Sequence, residues 1–468
     1  MSDENAFRSI ARAALPLYLS TLAASAGALV DTALLGRHAT ASLAAFAVTT
    51  AVFAPATATV AGALRGVMPF VVPCKGEPDA LRPIVRNAMW LALTVGVVCA
   101  AAVASVPLIG DAVGVPVAVL DQLGVFPLLL AGSVLFIAVG QSATSVLVAL
   151  GHGTQVMRAG LLSTATSVTL SVLLVGAPGP LPTYGLTGAG VAMLAAAVAG
   201  AWANQTTLRR RTVLAGHPLR PGRPDPRRML RLAAVGIPLA GTVLIKFAVL
   251  GVLTFAAARV GTDSAAVHSV SESLVNVMFT VAVAVGQAMV PLTAGLAGEG
   301  DVAGVRRSLR AGVGVTLSAV AVLGAVLLLF RHSVVPLFTS DDALRPQVVS
   351  LLPLVLLVVV TDALQAVAGF ALIGLKRTMP SLVSTAVWFG ALAMVAVPVA
   401  EAGGLTALWA ALACANLLQA VTKSVSFRVH SARGGATAPP SRPAGSPSAA
   451  GAAPGQEARV AGLADQPE

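Results

Sequence analysis

Apolar stretches of twenty or more residues recur along most of the chain, and they constrain its fold more than any other feature. Hydrophobic residues make up 56% of the 468 residues, whereas charged residues make up only 10%. Soluble globular proteins carry roughly 25% charged residues. A helix of about 20 apolar residues spans the hydrocarbon layer of a bilayer. The sequence therefore predicts an all-α polytopic membrane protein and excludes a soluble or largely disordered chain.

Turn-forming sequences such as Gly76-Glu77-Pro78-Asp79 and Gly298-Glu299-Gly300-Asp301 separate twelve predicted helices. We expect an N-terminal lobe of six helices (1–208), a basic cytoplasmic loop (209–229), a C-terminal lobe of six helices (230–430) and a disordered cytoplasmic tail (431–468). The predicted helices cover residues 10–36, 43–71, 84–108, 117–150, 157–176, 184–208, 230–258, 264–294, 307–330, 346–374, 380–400 and 404–428.

The distribution of positive charge explains the net charge of +11 without a nucleic-acid partner. If the N-terminus is inside, 22 Lys and Arg residues up to residue 433 lie on inner segments, and four lie on outer loops. This asymmetry is the one that orients membrane proteins, and it predicts that both termini are cytoplasmic. The basic residues are thus expected to orient the helices and to contact lipid headgroups.

An internal repeat with an offset of 222 residues relates the two halves. It pairs Pro16 with Pro238 and Glu77 with Glu299, and it also pairs Arg37 with Arg259 and Pro69 with Pro291. Since each half has an even number of helices, the halves have the same orientation, as in parallel transporter repeats. Two such bundles facing each other form a central cleft, which favours a transporter that works by alternating access.

Several segments resemble the multidrug and toxic compound extrusion (MATE) family. ALPLYLSTLAASAGALVDTALLGRHATASLAAFAV resembles the family's first helix and its exit, and GIPLAGTVLIKFAVLGVLTFAAARVGTDSAAVHSV resembles its seventh helix and the start of its eighth. Leu64-Arg65 together with Asp31 is closer to the DinF-like branch than to the NorM-like branch. The resemblance implies export of organic, often cationic or amphipathic, compounds by proton or sodium antiport.

Five ionisable residues lie well inside the predicted helices: Asp31, Arg65, Lys246, Glu272 and Asp362. A charge at the centre of a membrane helix costs at least about 2.5–3.5 kcal/mol on insertion scales, so each needs a partner, water or a function. Helical rise places Asp31 roughly 13 Å below the outer turn and Arg65 roughly 37 Å below it. These two should therefore not pair, and Arg65 is expected to snorkel at the inner end.

Asp31 is the main candidate for cation coupling. A carboxyl in a poorly hydrated cavity favours its neutral form and can carry a proton. The resemblance implies a coupling role for this Asp and a bend of the first helix near Pro16. Ser167 and Ser171 stand where DinF-like relatives often carry Asn and Asp, so a lone carboxylate is expected here, which suits a proton better than sodium. The alternative is an Asp that only makes structural hydrogen bonds.

The C-terminal lobe has a candidate charge pair. Lys246 stands where NorM-like relatives carry a Glu, and Asp362 resembles a family position on helix ten. Both lie roughly 24 Å deep and could meet. A fixed structural pair, a switch linked to substrate or protons, and two unpaired charges remain open. Glu272, roughly 10 Å shallower than Lys246, is either a cavity acid that attracts cations or a solvated residue at the helix entry.

Other polar and flexible apolar side chains are candidates for lining a cavity; the alternatives are hydrogen bonds to helix carbonyls or between helices for the polar residues and core packing for the apolar ones. This group consists of Ser167, Ser171, Gln141, Gln287, Met278 and Phe279.

No motif predicts an enzyme, a cofactor or a metal site. The three cysteines lack the spacing of metal ligands, and the phosphate-binding pattern GxxxxGK[ST] is absent. We therefore expect a monomeric exporter of small molecules in a bacterial cytoplasmic membrane, proton-coupled rather than sodium-coupled. A sodium-coupled exporter, a flippase for lipid-linked precursors, a channel and a membrane-embedded enzyme are the alternatives.

Overall fold

The described part of the chain is entirely helical. A computed structural model describes residues 3–38, 40–176, 184–216, 222–338 and 341–436, and no β-strand occurs among them. The predicted all-α polytopic fold is thus confirmed. The N lobe contains α1 (Asp3–His38), α2 (Thr40–Arg65), α3 (Pro78–Ala104), α4 (Phe126–Ala149), α5 (Gly153–Leu174) and α6 (Gly185–Arg211). The C lobe begins with α7 (Pro226–Val260), α8 (Thr262–Gly298), α9 (Val302–Leu329) and α10 (Arg345–Gly374).

The last helical stretch, Met379–Ala436, is broken at Gly404, whose φ of 63° lies in the left-handed region. We name its two parts α11 (379–403) and α12 (405–436). Hydrogen bonds from Ser384 to Thr422 and from Thr385 to Gln419 show that the two parts pack antiparallel. Eleven described stretches are long and apolar enough to span a membrane, and the last has 54 residues. At about 80 Å it accounts for two crossings, which gives the twelve predicted helices.

Short helices connect the long ones and correct one predicted boundary. The expected helix over residues 117–150 is interrupted, because Gly124 adopts a φ of +46° between a short helix and α4. The short connecting segments are Met68–Val71, Val72–Cys74, Val106–Ala112, Val117–Asp121, Arg331–Val334 and Val335–Leu337.

Two predicted domain boundaries are also displaced. The inter-lobe loop is shorter than residues 209–229, because α6 continues to Arg211 and α7 begins at Pro226. Asp225 caps α7 by accepting hydrogen bonds from the backbone N–H groups of Arg227 and Arg228. The predicted tail starts too early, since α12 continues to Ala436; residues 437–468 lie outside the described residues.

The two lobes repeat the same packing. In the N lobe α1 packs on α5, and α4 packs on α3 and α6; in the C lobe α7 packs on α11, and α10 packs on α9 and α12. The sequence Gly-Leu-Thr opens both α6 and α12, with a positive φ at Gly185 and at Gly404. Gly151 and Lys376, which follow α4 and α10, also share a positive φ. These matches support the parallel repeat.

The lobes meet at the end of the molecule that holds the start of α1 and the end of α12, here called the terminal end. There α1 packs on α8 and α9, and α2 packs on α7. The backbones of Gly66 and Gly236 approach so closely that a Cβ on Gly66 would lie 2.6 Å from the Gly236 nitrogen. Glycine is therefore required at this contact. The opposite end, with the α1–α2, α7–α8 and α11–α12 turns, is called the distal end.

Candidate functional site

Helices α1 and α5 approach closely because small residues line their contact. A Cβ on Gly27 of α1 would lie 3.1 Å from the Thr164 side chain of α5, and Gly160 of α5 lies directly against Ser20 of α1. Polar side chains of α5 can therefore reach the middle of α1.

Asp31 lies at this contact and is 5% exposed. The Ser167 hydroxyl donates to its Oδ2 atom over 3.5 Å, and the fully buried Ser171 hydroxyl is a second neighbour of the carboxyl. Oδ1 of Asp31 has no hydrogen-bond partner within the described residues. The structure therefore brings together Asp31, Ser167 and Ser171 as one buried cluster with a single carboxylate.

Helix α1 is continuous through Pro16, so the predicted bend is not a break in the helix. Proline lacks the N–H that would bond to the preceding turn, which weakens the helix at this point. Pro16 lines a cavity of about 740 Å³ at the terminal end, together with the basic residues Arg8, Arg12 and Lys75. This cavity lies on the side of Pro16 away from Asp31 along α1.

The C lobe contains a short ion pair. Lys246 Nζ of α7 lies 2.7 Å from Asp362 Oδ2 and 3.0 Å from Oδ1 of α10. The Asp362 side chain is 4% exposed and that of Lys246 is 23% exposed. The Lys246 ammonium also lies 3.6 Å from the centre of the Phe279 ring, a cation–π arrangement. The pair thus links α7 and α10, with Phe279 of α8 covering one side.

A second lysine extends this cluster into a network that the sequence analysis missed. Gln365 Nε2 donates to Asp362 Oδ1 over 2.8 Å, and the buried Lys423 of α12 donates to Gln365 Oε1. Lys423 also donates to Gln419 Oε1 over 3.1 Å, and Thr385 of α11 donates to the same oxygen. Since an ammonium can only donate, Lys423 fixes the Gln365 carbonyl toward itself and the amide toward Asp362.

Lys423 is one of the 22 basic residues that the sequence assigns to inner segments, and the predicted helix that contains it ends at residue 428. The helix in fact continues to Ala436, so that Lys423 is 1% exposed inside the lobe. The spacing of Gln419 and Lys423, one helical turn apart, is the signal that could have indicated a polar face.

Glu272 lies near the distal end of the C lobe on α8, and its side chain is 34% exposed. Its Oε2 atom lies 3.7 Å from Nε2 of His268, which is one helical turn earlier and almost completely buried. Lys246 is close enough to act on Glu272 electrostatically. The predicted cavity acid is therefore partly accessible and close to two basic groups.

The remaining predicted lining residues separate into two groups. Gln141 and Gln287 are half-buried, and Phe279 contacts Lys246. Met278 belongs instead to the buried core of the C lobe, which is the packing alternative for that residue. Met278 and Phe279 are adjacent on α8, so their side chains point in different directions. Of the two, Phe279 is the one that contacts the ion pair.

Arg65 does not snorkel freely at the end of α2 as expected. Its guanidinium stacks over the ring of Phe370 in the C lobe, 5.6 Å from the ring centre. Gly286 lies directly against the other part of the same ring. Arg65 therefore takes part in the contact between the lobes, at the end of α2 away from Asp31.

Within the described ranges, no group of three or more His, Cys, Asp or Glu side chains could hold a metal ion.

Comparisons with known proteins agree with this architecture. The family model described as MatE matches residues 238–399. A probable multidrug resistance protein NorM from Rhizobium meliloti is 30% identical over 395 residues, covering 80% of this chain and 82% of the relative. A protein of the same description from Aromatoleum aromaticum is 28% identical over 387 residues, covering 81% and 82%. A solved structure described as the outward-facing conformation of a multidrug resistance MATE family transporter superposes with a TM-score of 0.82 at 18% identity, covering 92% of this chain and 97% of that one.

Twelve helices in two repeated lobes with sparse buried charges, seen among the described residues, are typical of a membrane transporter. The chain belongs to the MATE family. The two relatives compared are described as NorM, so the closer likeness to the DinF-like branch stays a prediction.

Proposed function

We propose that this chain exports organic small molecules from a bacterial cell in exchange for protons. The membership in the MATE family and the relatives described as multidrug resistance proteins support the export of varied compounds. The buried carboxyl of Asp31, with two hydroxyl neighbours and one unpartnered oxygen, is the observation that carries the proton assignment.

The ligands around Asp31 favour a proton over sodium. A desolvated sodium ion needs several oxygen ligands, whereas a proton needs one basic atom. Asp31 supplies the single negative charge of its cluster, and Ser167 and Ser171 supply only neutral hydroxyls. A sodium ion there would lack the second carboxylate and the amide that DinF-like relatives often carry at these two positions.

Alternating access is supported by the way the lobes touch. Gly66 against Gly236 and Arg65 over Phe370 lie at the terminal end, so that end is closed in this conformation. The likeness to a transporter described as outward-facing fits the same arrangement. We infer that rocking of the two lobes about their contact exposes Asp31 to each side in turn, and that the terminal end faces the cytoplasm.

The ion pair of Lys246 and Asp362 supports an unequal division of work between the lobes. The Lys246 ammonium already donates hydrogen bonds to both carboxylate oxygens of Asp362. The C lobe therefore needs no free cation at this position, and the role of the pair is to hold α7 against α10. Glu272, which is partly exposed, is the acid that a cationic substrate would meet.

The test is efflux of the cationic dye ethidium from proteoliposomes across an imposed pH gradient. Asp31→Asn should reduce gradient-driven efflux to the level of protein-free vesicles. The matched control is Glu401→Gln, a carboxyl-to-amide change in an exposed pair with Arg259, which should leave efflux unchanged. Replacing the pH gradient by a sodium gradient should not drive the wild-type protein.

Proton-driven efflux that persists in the Asp31→Asn protein would overturn the coupling role. Efflux driven by a sodium gradient alone would show that the coupling ion is sodium and not the proton. Downhill flux that is insensitive to protonophores would indicate a channel. The folding of each variant is checked by its size-exclusion elution profile in detergent before reconstitution, so that a loss of efflux is not confused with misfolding.

A further inference from the structure

A cluster of buried polar groups without hydrogen-bond partners lies near the distal end of the C lobe. His268 is 1% exposed, and within the described chain neither of its ring nitrogens has a partner. The Ser271 hydroxyl and the Trp409 indole nitrogen are in the same state. The rings of His268 and Trp409 meet edge to face, with their centres 5.6 Å apart. Buried polar groups are usually satisfied, so this concentration points to a functional site.

Glu272 connects the cluster to open space. Its carboxylate lies 3.7 Å from the His268 ring, and its side chain is 34% exposed. The imidazole is thus enclosed by protein, whereas the neighbouring carboxylate reaches the protein surface. At this distance, a proton that binds one of the two groups also lies close to the other.

The N lobe shows that this scaffold does not require such a cluster. With the offset of 222 residues, His268 corresponds to Phe46, Ser271 to Thr49 and Glu272 to Thr50. The Phe46 ring packs against Phe126. Both threonine hydroxyls donate to carbonyls one turn earlier, at 2.9 and 2.8 Å. The same positions are therefore apolar or satisfied in the N lobe, whereas in the C lobe they hold an imidazole and a hydroxyl without hydrogen-bond partners and a carboxylate beside the imidazole.

The charges near His268 and Glu272, a pair here called the dyad, do not hold either group in one protonation state. Lys246 of α7 acts on Glu272 from below, but both carboxylate oxygens of Asp362 on α10 hold its ammonium. The side chain that packs on His268 from α12 is the uncharged Trp409. Arg259 of α7 is paired with Glu401 of α11 over 3.1 Å, and both are about half exposed. The dyad thus has one nearby cation, which is already neutralised.

We propose that His268 and Glu272 form a second proton-binding site, which loads from the distal end of the C lobe and acts beside Asp31 in transport. The proton adds to the Glu272 carboxylate and is shared with Nε2 of His268, so the net charge of the dyad changes from −1 to 0. Lys246 then has one negative charge fewer nearby, so Asp362 becomes the main group that neutralises its ammonium. This proposal rests on proton-driven export for its role in transport, whereas proton binding itself does not.

Infrared spectroscopy of the purified protein tests proton binding without any substrate. The carbonyl stretch of a protonated carboxyl is followed during a pH titration. Glu272→Gln should remove one such band, and His268→Gln should shift the pH midpoint of that band while the band itself remains. Asp31→Asn should leave it unchanged. A spectrum that is identical in wild type and Glu272→Gln, or a midpoint that His268→Gln does not move, would overturn the dyad.

Ethidium efflux then tests the role in transport. Glu272→Gln and His268→Gln should both shift the external pH at which efflux is half-maximal, whereas Glu401→Gln should not. If the infrared band behaves as expected but the efflux profile stays fixed, the dyad has no part in transport and the proposal fails. If instead Asp31→Asn retains proton-driven efflux, the proposed coupling site fails while the dyad stands, so the two failures are distinguishable.

Discussion

The N lobe and the C lobe share the order and packing of their helices, but they stabilise buried charge differently. Asp31 in the N lobe is a single carboxylate next to two hydroxyls, with one oxygen unpartnered. Asp362 in the C lobe accepts two hydrogen bonds from Lys246 and one from Gln365. The first arrangement leaves the carboxylate available to a proton, and the second already provides it with a cation.

This difference indicates that duplication preserved the scaffold and let the interior diverge. Glycine, serine and alanine at the α1–α5 contact of the N lobe allow close helix packing around Asp31. In the C lobe, polar side chains from α7, α10, α11 and α12 form the network around Asp362. A single carboxylate can change its protonation without breaking other contacts, whereas a change at Asp362 would disturb four helices.

The largest expected effect comes from breaking the C-lobe ion pair. Lys246→Ala or Asp362→Ala alone leaves one buried charge unpartnered, which typically costs about 3–5 kcal/mol. We expect a large loss of expression and of thermal stability in detergent for either single variant. The double variant Lys246→Ala with Asp362→Ala removes both charges and should recover a substantial part of this loss.

Thermal unfolding of the three variants, followed by size-exclusion chromatography after heating, measures this coupling. Additive losses in the double variant would contradict a coupled pair. The comparison between lobes would then lose its basis, because Asp362 would be no better neutralised than Asp31.

An intermediate effect is expected at Lys423. Lys423→Met keeps the length of the side chain but leaves the Gln365 carbonyl without its donor, a loss of about 1–3 kcal/mol for a buried unsatisfied group, while the Gln419 carbonyl keeps the hydrogen bond from Thr385. Freed of Lys423, Gln365 can also rotate its amide away from Asp362. The matched control is Asn204→Leu in the N lobe, at the same distance after the Gly-Leu-Thr turn of α6.

Thermal stability should fall clearly in Lys423→Met and little in Asn204→Leu, because Oδ1 of Asn204 has no hydrogen-bond partner among the described residues. Equal losses in both variants would show that Lys423 only fills space, as its counterpart in the N lobe does.

The smallest effect on stability is expected around Asp31. Ser167→Ala combined with Ser171→Ala removes two neutral neighbours and should lower the free energy of unfolding by about 1–2 kcal/mol, since a hydrogen bond contributes about 1 kcal/mol net. Proton-driven ethidium efflux should persist at a shifted pH optimum, because the carboxyl of Asp31 remains.

The reverse change sharpens the same point. Ser167→Asn with Ser171→Asp adds oxygen ligands and a second negative charge, and it should make efflux respond to a sodium gradient. Continued indifference to sodium would show that the number of oxygen ligands around Asp31 does not decide the coupling ion.

The sequence was sufficient for much of the fold because the signals involved are long. Twelve apolar windows, the turn residues between them and the repeat of Pro16 at Pro238 determine the number and order of the helices. The depth argument for Lys246 and Asp362 worked because helical rise is regular, and the structure places these two side chains in contact. The grouping of Asp31 with Ser167 and Ser171 comes instead from the resemblance to the DinF-like branch, and the structure places Ser167 within hydrogen-bonding distance of Asp31.

Features that depend on local backbone or on tertiary contacts could not be predicted in this way. Gly124 breaks the fourth predicted helix through its positive φ, which a glycine in an apolar run does not reveal. Predicting the hydrogen bonds of Lys423 requires knowing where α12 ends and which face of α10 points toward it. Hydrophobic periodicity provides neither. The stacking of Arg65 on Phe370 depends on how the two lobes dock.

The contact between Gly66 and Gly236 has a consequence for how the transporter responds to its surroundings. The Gly66–Gly236 contact and the stack of Arg65 on Phe370 contain no group that gains or loses a proton between pH 5 and 8. Acidity should therefore act on this protein from deep inside the lobes while these two contacts stay unchanged. A vesicle assay that shifts pH only on the terminal side would then find the barrier unchanged.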